Sequence, residues 1–297
     1  MRLYIKLFLV FAIQGFALLA NAQVQDSATA KSKEVKAALP SYRKMLDIAY
    51  SKDDKENTMD AYFPHSFTNA KVIVYLHGSG WTGGDKSELP EMLIDELVGK
   101  QNYIVISANY RLIRDGKNRF PAQMEDVSKL FSFIAASAKK YHFNGNEIAL
   151  MGGSAGGLMA MLYAYGYDTA KQVKTVIDFW GPTDLADKAV RANNRDADEK
   201  VTNLLGTADA TAKICFDASP FYRLTKETGV PTILFHGGRD PLVPVSQADK
   251  MYKKLLALNI PARYEYYPDE KHGMKGAAGL DVFIKTVGWL KNYFPAL

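Results

Sequence analysis

From residue 45 onward, short apolar runs rich in β-branched and aromatic residues recur at 72–76, 103–108, 148–151, 173–179, 232–235 and 263–267. Between several of them, apolar residues repeat at three- and four-residue steps. One such stretch is 88–98, with Leu89, Met92, Leu93, Leu97 and Val98 on one side. A second starts after Pro121 with Met124, Val127, Leu130, Phe131, Ile134 and Ala135, and a third covers 282–294 with Phe283, Val287, Leu290 and Phe294. Short apolar runs bury both faces of a strand, and a three-to-four spacing stripes one side of a helix. Strands alternating with helices predict an α/β fold, a mostly parallel central sheet flanked by helices on both faces. Ligands of such sheets bind at the carboxyl ends of the strands. The loops directly after each run are therefore where chemistry is sought.

The two ends of the chain read differently. Arg2 and Lys6 precede a 13-residue apolar run, 7–19, followed by Ala20-Asn21-Ala22. That run is short of the roughly 20 residues a spanning helix needs, and the small residues of the triplet fit a signal peptidase. The expectation is an export signal over 1–22, cut before Gln23, which places the protein in a periplasm or outside the cell without stable membrane insertion. Residues 23–40 are polar and alanine-rich, and predict a flexible leader ended by Pro40. One domain is expected over 41–297.

Composition narrows the classes. Hydrophobic residues make up 47% and charged ones 23%, which excludes a disordered chain. Lys+Arg 37 against Asp+Glu 32 gives +5, and 5 − 2 = +3 once Arg2 and Lys6 are removed. So small and scattered an excess predicts no nucleic-acid partner. The single cysteine, Cys215, excludes an internal disulfide and a thiolate metal site.

Three strand-end loops carry chemistry. The first is Gly152-Gly153-Ser154-Ala155-Gly156 between an apolar run and a helix-forming stretch. Glycine two residues either side of Ser154 permits a sharp strand-to-helix turn that lifts the hydroxyl to the top of the sheet. A dinucleotide fingerprint fails, because its first glycine would have to be Met151, and a phosphate loop lacks its Gly-Lys-Ser/Thr. The second is His77-Gly78-Ser79-Gly80-Trp81, whose exposed backbone N–H groups can aim at an oxyanion. The third is a pair: Asp240 after the run at 232–235, and His272 after that at 263–267. A serine hydroxyl needs an imidazole to take its proton, and the imidazole needs a carboxylate to fix its tautomer. In the α/β hydrolases, which these loops resemble, that triad runs in the chain order Ser, Asp or Glu, His. Ser154, Asp240 and His272 satisfy the order, with Asp184 the rival acid. His236 reads as structural, and His65 and His142 as solvent-exposed.

With these motifs together, the chain resembles the α/β-hydrolase superfamily, in the hormone-sensitive-lipase-like group and its bacterial feruloyl- and acetyl-esterase relatives. The resemblance also includes Ala108-Asn-Tyr-Arg-Leu112, Phe120-Pro-Ala-Gln-Met-Glu-Asp126 and His236-Gly-Gly-Arg-Asp240. It implies a serine hydrolase of carboxylic esters with no cofactor or metal, and an oxyanion hole from the N–H groups of Ser79, Gly80 and Ala155. The family pattern has glycine where this chain has Ser79; serine keeps the N–H but narrows the allowed backbone angles. An insertion at about 181–229, rich in charge, predicts a small helical lid. Trp81, Tyr110, Phe179 and Trp180 stand near the strand ends as candidate contacts for an aryl or saccharide ester. Two alternatives are a peptidase of the prolyl-peptidase type, and a non-catalytic binding module on the same scaffold.

Overall fold

The structure, a computed structural model, describes residues 42–192 and 194–297. The expected signal (1–22) and leader (23–40) lie outside the described residues. Within these, one eight-stranded sheet contains β1 (Tyr42–Ala49), β2 (Thr58–Pro64), β3 (Lys71–Leu76), β4 (Ile104–Ala108), β5 (Asn144–Gly153), β6 (Val173–Phe179), β7 (Thr232–Gly237) and β8 (Ala262–Tyr267). The order is β1-β2-β4-β3-β5-β6-β7-β8. Strands β4 through β8 run parallel, whereas β1 and β2 are antiparallel additions at one edge.

Residues alternate between two apolar layers. Val72, Val74, Ile104, Ile106, Ile148 and Leu150 pack on one side of the sheet. Ile73, Val105, Ala149 and Met151 pack on the other. That is why the central strands read as continuous apolar runs. The first layer is covered by α2 (Ala122–Tyr141), α3 (Ala155–Gly166) and α8 (Ser246–Ala257), which supply Leu130, Leu158 and Met251. The second is covered by α1 (Glu91–Ile94) with the π-helical turn Asp95–Lys100, and by α9 (Gly276–Tyr293), which supply Leu93, Leu97 and Leu290.

Two differences from expectation have physical reasons. The helix expected over 88–98 starts at Glu91, because Pro90 has no N–H to donate and sits as its N-cap. A separate short turn, Lys86–Glu88, precedes it, with a capping box between Asp85 and Glu88. Strands β1 and β2 were not expected. In β1 the side chains from Arg43 to Leu46 are exposed, so no alternation marks it. In β2 the buried Asp60 interrupts the apolar pattern; it takes the N–H of Asp47 at 2.9 Å and the Lys86 ammonium at 3.2 Å.

The 181–229 segment leaves the sheet after β6 and forms four short helices: α4 (Lys188–Ala192), α5 (Arg195–Leu205), α6 (Lys213–Asp217) and α7 (Pro220–Arg223). Helix α5 is capped by the Asn194 side chain on the N–H of Ala197, and it buries Ala197, Val201, Leu204 and Leu205 while Arg195, Asp196 and Glu199 are exposed.

Candidate active site

The strand order reverses between β3 and β5, which leave the centre of the sheet in opposite directions. A crevice forms where such neighbours part at their carboxyl ends. The loops after these two strands are the His77–Trp81 loop and the turn at Ser154.

At that turn Ser154 has φ 53° and ψ −115°, a conformation that costs a non-glycine residue about 1–3 kcal/mol. The flanking glycines make it possible. A Cβ on Gly152 would lie 2.3 Å from backbone atoms of Gly156, and one on Gly156 would lie 2.0 Å from the Leu76 carbonyl oxygen. The turn is held by the Ser154 N–H donating to the Phe179 carbonyl at 2.8 Å.

Ser154 Oγ meets His272 Nε2 at 2.8 Å, and His272 Nδ1 meets Asp240 Oδ2 at 2.7 Å. The other carboxylate oxygen of Asp240 accepts the N–H groups of Leu242 at 2.8 Å and Val243 at 2.9 Å. These bonds leave Oδ2 aimed at the imidazole. His236 supports the same loop: its Nε2 lies 3.0 Å from the Val243 carbonyl and 3.5 Å from Asp240 Oδ2. Burial lowers the His236 pKa, so it stays neutral and donates from Nε2. Asp184 is elsewhere: it accepts from the Ala186 N–H at 3.0 Å and the Tyr222 hydroxyl at 3.3 Å, without touching His272. Of the two rival acids, the structure brings Asp240 to the imidazole.

Ser79, Gly80 and Trp81 have φ of 70°, 61° and 61°, three left-handed residues in succession that curl the loop over Ser154. Among the described residues nothing accepts the N–H groups of Ser79 and Gly80. Ala155 opens α3, where an N–H has no intrahelical acceptor. Two supports hold the curl. The Tyr110 hydroxyl donates to the carbonyls of His77 at 2.9 Å and Gly78 at 3.3 Å, while its ring stacks on His77 with centroids 4.3 Å apart. Ile113 donates to the Trp81 carbonyl at 2.8 Å. The Tyr110 loop is itself fastened to α2, since Arg111 gives Asp126 its backbone N–H and its Nε, each at 2.9 Å.

Beside Ser154 opens a cavity of about 370 Å³, walled by Tyr75, Trp180, Leu242 and Val243 and roofed by Val190, Ala197, Lys200 and Val201 of α4 and α5. The aromatic expectations divide. Trp180 is half-buried in the cavity wall, 6.4 Å from the His272 ring centre. Trp81 touches the cavity but is only 3% exposed, its indole packed in the core as an anchor for the loop. Tyr110 and Phe179 do not line it. Tyr110 is spent on the loop carbonyls, and Phe179 stacks on Phe235 beneath the sheet end. Both are corrections: strand-end position does not distinguish a ring pointing into the core from one pointing into a cleft. The sequence reading missed Tyr75 and Glu88, both on the cavity; Lys200, also there, belongs to the charged insertion expected as a lid. His65 and His142 are exposed.

A family model described as BD-FAE matches residues 59–255, about two thirds of the chain. The chain belongs to the BD-FAE family. The match holds the elbow, the curled loop and Asp240, while His272 lies beyond its end. Esterase LipC of Mycobacterium tuberculosis is 27% identical over 69% of this chain and 53% of its own. The human acylamino-acid-releasing enzyme is 25% identical over 77% of this chain and 32% of its own. The BD-FAE chain thus spans about half the length of the first relative and a third of the second. Its fold is that of the α/β-hydrolase esterases, as in a truncated carbohydrate esterase from gut microbiota (TM-score 0.70, 21% identity, 85% of this chain and 98% of that one). Among the described residues, no helix is long and apolar enough to cross a membrane.

Proposed function

We propose that the protein is a serine hydrolase of carboxylic esters, working through an acyl-enzyme on short-acyl or aryl esters, including those borne by carbohydrates. The observation that carries this reading is the unbroken relay from Ser154 Oγ to His272 Nε2 at 2.8 Å and from His272 Nδ1 to Asp240 at 2.7 Å. Asp240 accepts a hydrogen bond from the Nδ1–H of His272, which keeps the proton on Nδ1 and leaves Nε2 free as the base. As Ser154 Oγ attacks the ester carbonyl, Nε2 takes its proton; the negative oxygen moves toward the N–H groups of Ser79, Gly80 and Ala155. His272 then returns the proton to the leaving alkoxide, and water repeats the sequence on the acyl-enzyme.

Membership of BD-FAE and the likeness to LipC and to a carbohydrate esterase support esters over other acyl compounds. The cavity of about 370 Å³ lies at the small end of the roughly 300–1,000 Å³ usual for ligand sites, which favours an acetyl, butyryl or single-ring group over a long fatty chain. The likeness to acylamino-acid-releasing enzyme favours a second reading, hydrolysis of aminoacyl amides. One panel separates them: acetyl, butyryl and palmitoyl esters of p-nitrophenol, beside aminoacyl p-nitroanilides, on the protein and its Ser154→Ala variant. Fast acetyl and butyryl cleavage that Ser154→Ala abolishes supports the proposal; preference for palmitoyl or for anilides refutes it. We also propose export through the segment 1–22, for which the N-terminus of the mature protein should read from Gln23.

A further inference from the structure

The curled loop after β3 is held at its two ends. The Tyr110 hydroxyl bonds the carbonyls of His77 and Gly78, and the Ile113 N–H bonds that of Trp81. No hydrogen bond from a described residue reaches Gly80, at the crest of the curl. Glycine enters left- and right-handed conformations about equally well, so nothing in its own backbone keeps φ at 61°. One side chain does bear on it. A Cβ added to Gly80 would lie 2.4 Å from Lys200 Cδ, 2.6 Å from Cε and 3.0 Å from Cγ, so the aliphatic stem of Lys200 lies flat against this residue. The ammonium beyond it turns to Asp196 at 2.5 Å, one turn earlier on α5.

We propose that Lys200 is a positioning residue of the oxyanion hole, whose stem keeps the Gly80 N–H aimed at the reacting carbonyl oxygen. This rests on the serine-hydrolase reading and gives the 181–229 insertion a task in it. Lys200 acts through Gly80 and touches no reacting atom. Ser79 and Trp81, at φ 70° and 61°, are left-handed without being glycine, and such strain persists only where neighbours over-determine it. Turning over the peptide between Ser79 and Gly80 would relieve the loop and swing the Gly80 N–H away; the stem fills the space beside Gly80 that this movement needs. With a methyl on Gly80 the same stem would obstruct the loop instead of holding it. The stem rests on a fixed platform. Asn194 caps α5 and also donates from Nδ2 to the carbonyl of Pro241, the residue after Asp240, at 3.0 Å. Near the other end of the helix, the Leu204 carbonyl accepts the Phe120 N–H at 3.0 Å. Ala197 and Val201 are buried, so Lys200 stands at the edge of the packed face of α5 and runs its stem along the roof.

The test compares Lys200→Ala and Lys200→Met with the unmodified protein. Alanine removes the stem; methionine keeps an unbranched stem and removes the charge. Both residues are good helix formers, so α5 should form in each and Tm should hardly move. The readouts are kcat and KM on p-nitrophenyl acetate, per active site counted with a fluorophosphonate, and the rate at which that reagent phosphonylates Ser154. An oxyanion contact strengthens as charge develops, so its loss falls on kcat and spares KM. Lys200→Ala should lower kcat and the phosphonylation rate about tenfold each, a part of the roughly 10²–10³ that a lost donor costs. Lys200→Met should regain most of both. Unchanged kcat per site in Lys200→Ala overturns the proposal, whether or not Tm or the site count falls. A loss confined to KM overturns it by making Lys200 a cavity wall alone. Lys200→Met as slow as Lys200→Ala overturns it by assigning the effect to the ammonium. If the unmodified protein leaves p-nitrophenyl acetate intact, the ester-hydrolase reading fails, and the phosphonylation rates alone decide the role of Lys200.

Discussion

Replacing Asp240 by Asn changes one atom and should nearly silence the enzyme. One carboxylate oxygen is fixed by two backbone donors, Leu242 at 2.8 Å and Val243 at 2.9 Å. An amide satisfies them only with its carbonyl oxygen, which forces its NH₂ toward His272. Nδ1, 2.7 Å away, must then accept in place of donating, and the imidazole proton moves to Nε2. There it points at Ser154 Oγ, so the base cannot take the serine proton. Such a tautomer trap costs about 10⁴ in kcat, or about 5.4 kcal/mol of transition-state stabilisation. The fold should stand, because the amide keeps both backbone bonds. Asp184→Asn is the control: that carboxylate bonds Ala186 and Tyr222 and never meets the imidazole, so the cost should stay below about tenfold. The assay is kcat on p-nitrophenyl acetate with active sites counted by fluorophosphonate, and Tm measured alongside. A larger loss in Asp184→Asn than in Asp240→Asn would refute the reasoning.

Gly156→Ala drives a methyl to 2.0 Å from the Leu76 carbonyl and should destabilise by about 3 kcal/mol or more, read as a fall in denaturant midpoint; an unchanged midpoint would mean the elbow is not packed against β3. Gly80→Ala places a Cβ 2.4 Å from Lys200 Cδ at φ +61°, and should lower kcat by disturbing both loop and roof. Adding Lys200→Ala should recover part of that loss, and strict additivity of the two changes would argue against contact. Burial raises the Asp178 carboxyl well above its usual range, so it stays protonated in the folded chain and ionises when unfolded. The folded state then holds the extra proton, and this group's contribution to stability falls as pH rises above about 4. Asp178→Asn should therefore gain Tm relative to the parent as pH rises above about 4, and a difference independent of pH would show the carboxyl to be ionised in the fold.

Local signals sufficed for much of this molecule. The parallel strands β3 to β7 announce themselves because both faces are buried, which leaves apolar runs bounded by turns. The elbow is legible because the turn's own backbone at Gly156 excludes a side chain at Gly152, although the Leu76 carbonyl that excludes one at Gly156 is brought there only by the fold. Ser154 and His272 follow from chemistry that needs those residue types in that order. Tertiary structure decided the rest, because burial and reach depend on neighbours distant in sequence. Asp184 and Asp240 both follow parallel strands; only the pairing of β7 with β8, Gly237 opposite Tyr267, sets Asp240 beside the loop of His272. Tyr110 and Trp180 read alike as strand-end aromatics. One is enclosed because its hydroxyl meets carbonyls 32 and 33 residues away, and the other is left facing the cleft by the roof of α4 and α5. Strand β1 had no sequence mark, since an edge strand with exposed side chains is defined by its partner β2 and not by its own pattern. Tyr75 and Glu88 were invisible as cavity residues for the same reason: which side chains meet at a cleft is settled only once elements distant in sequence are in place.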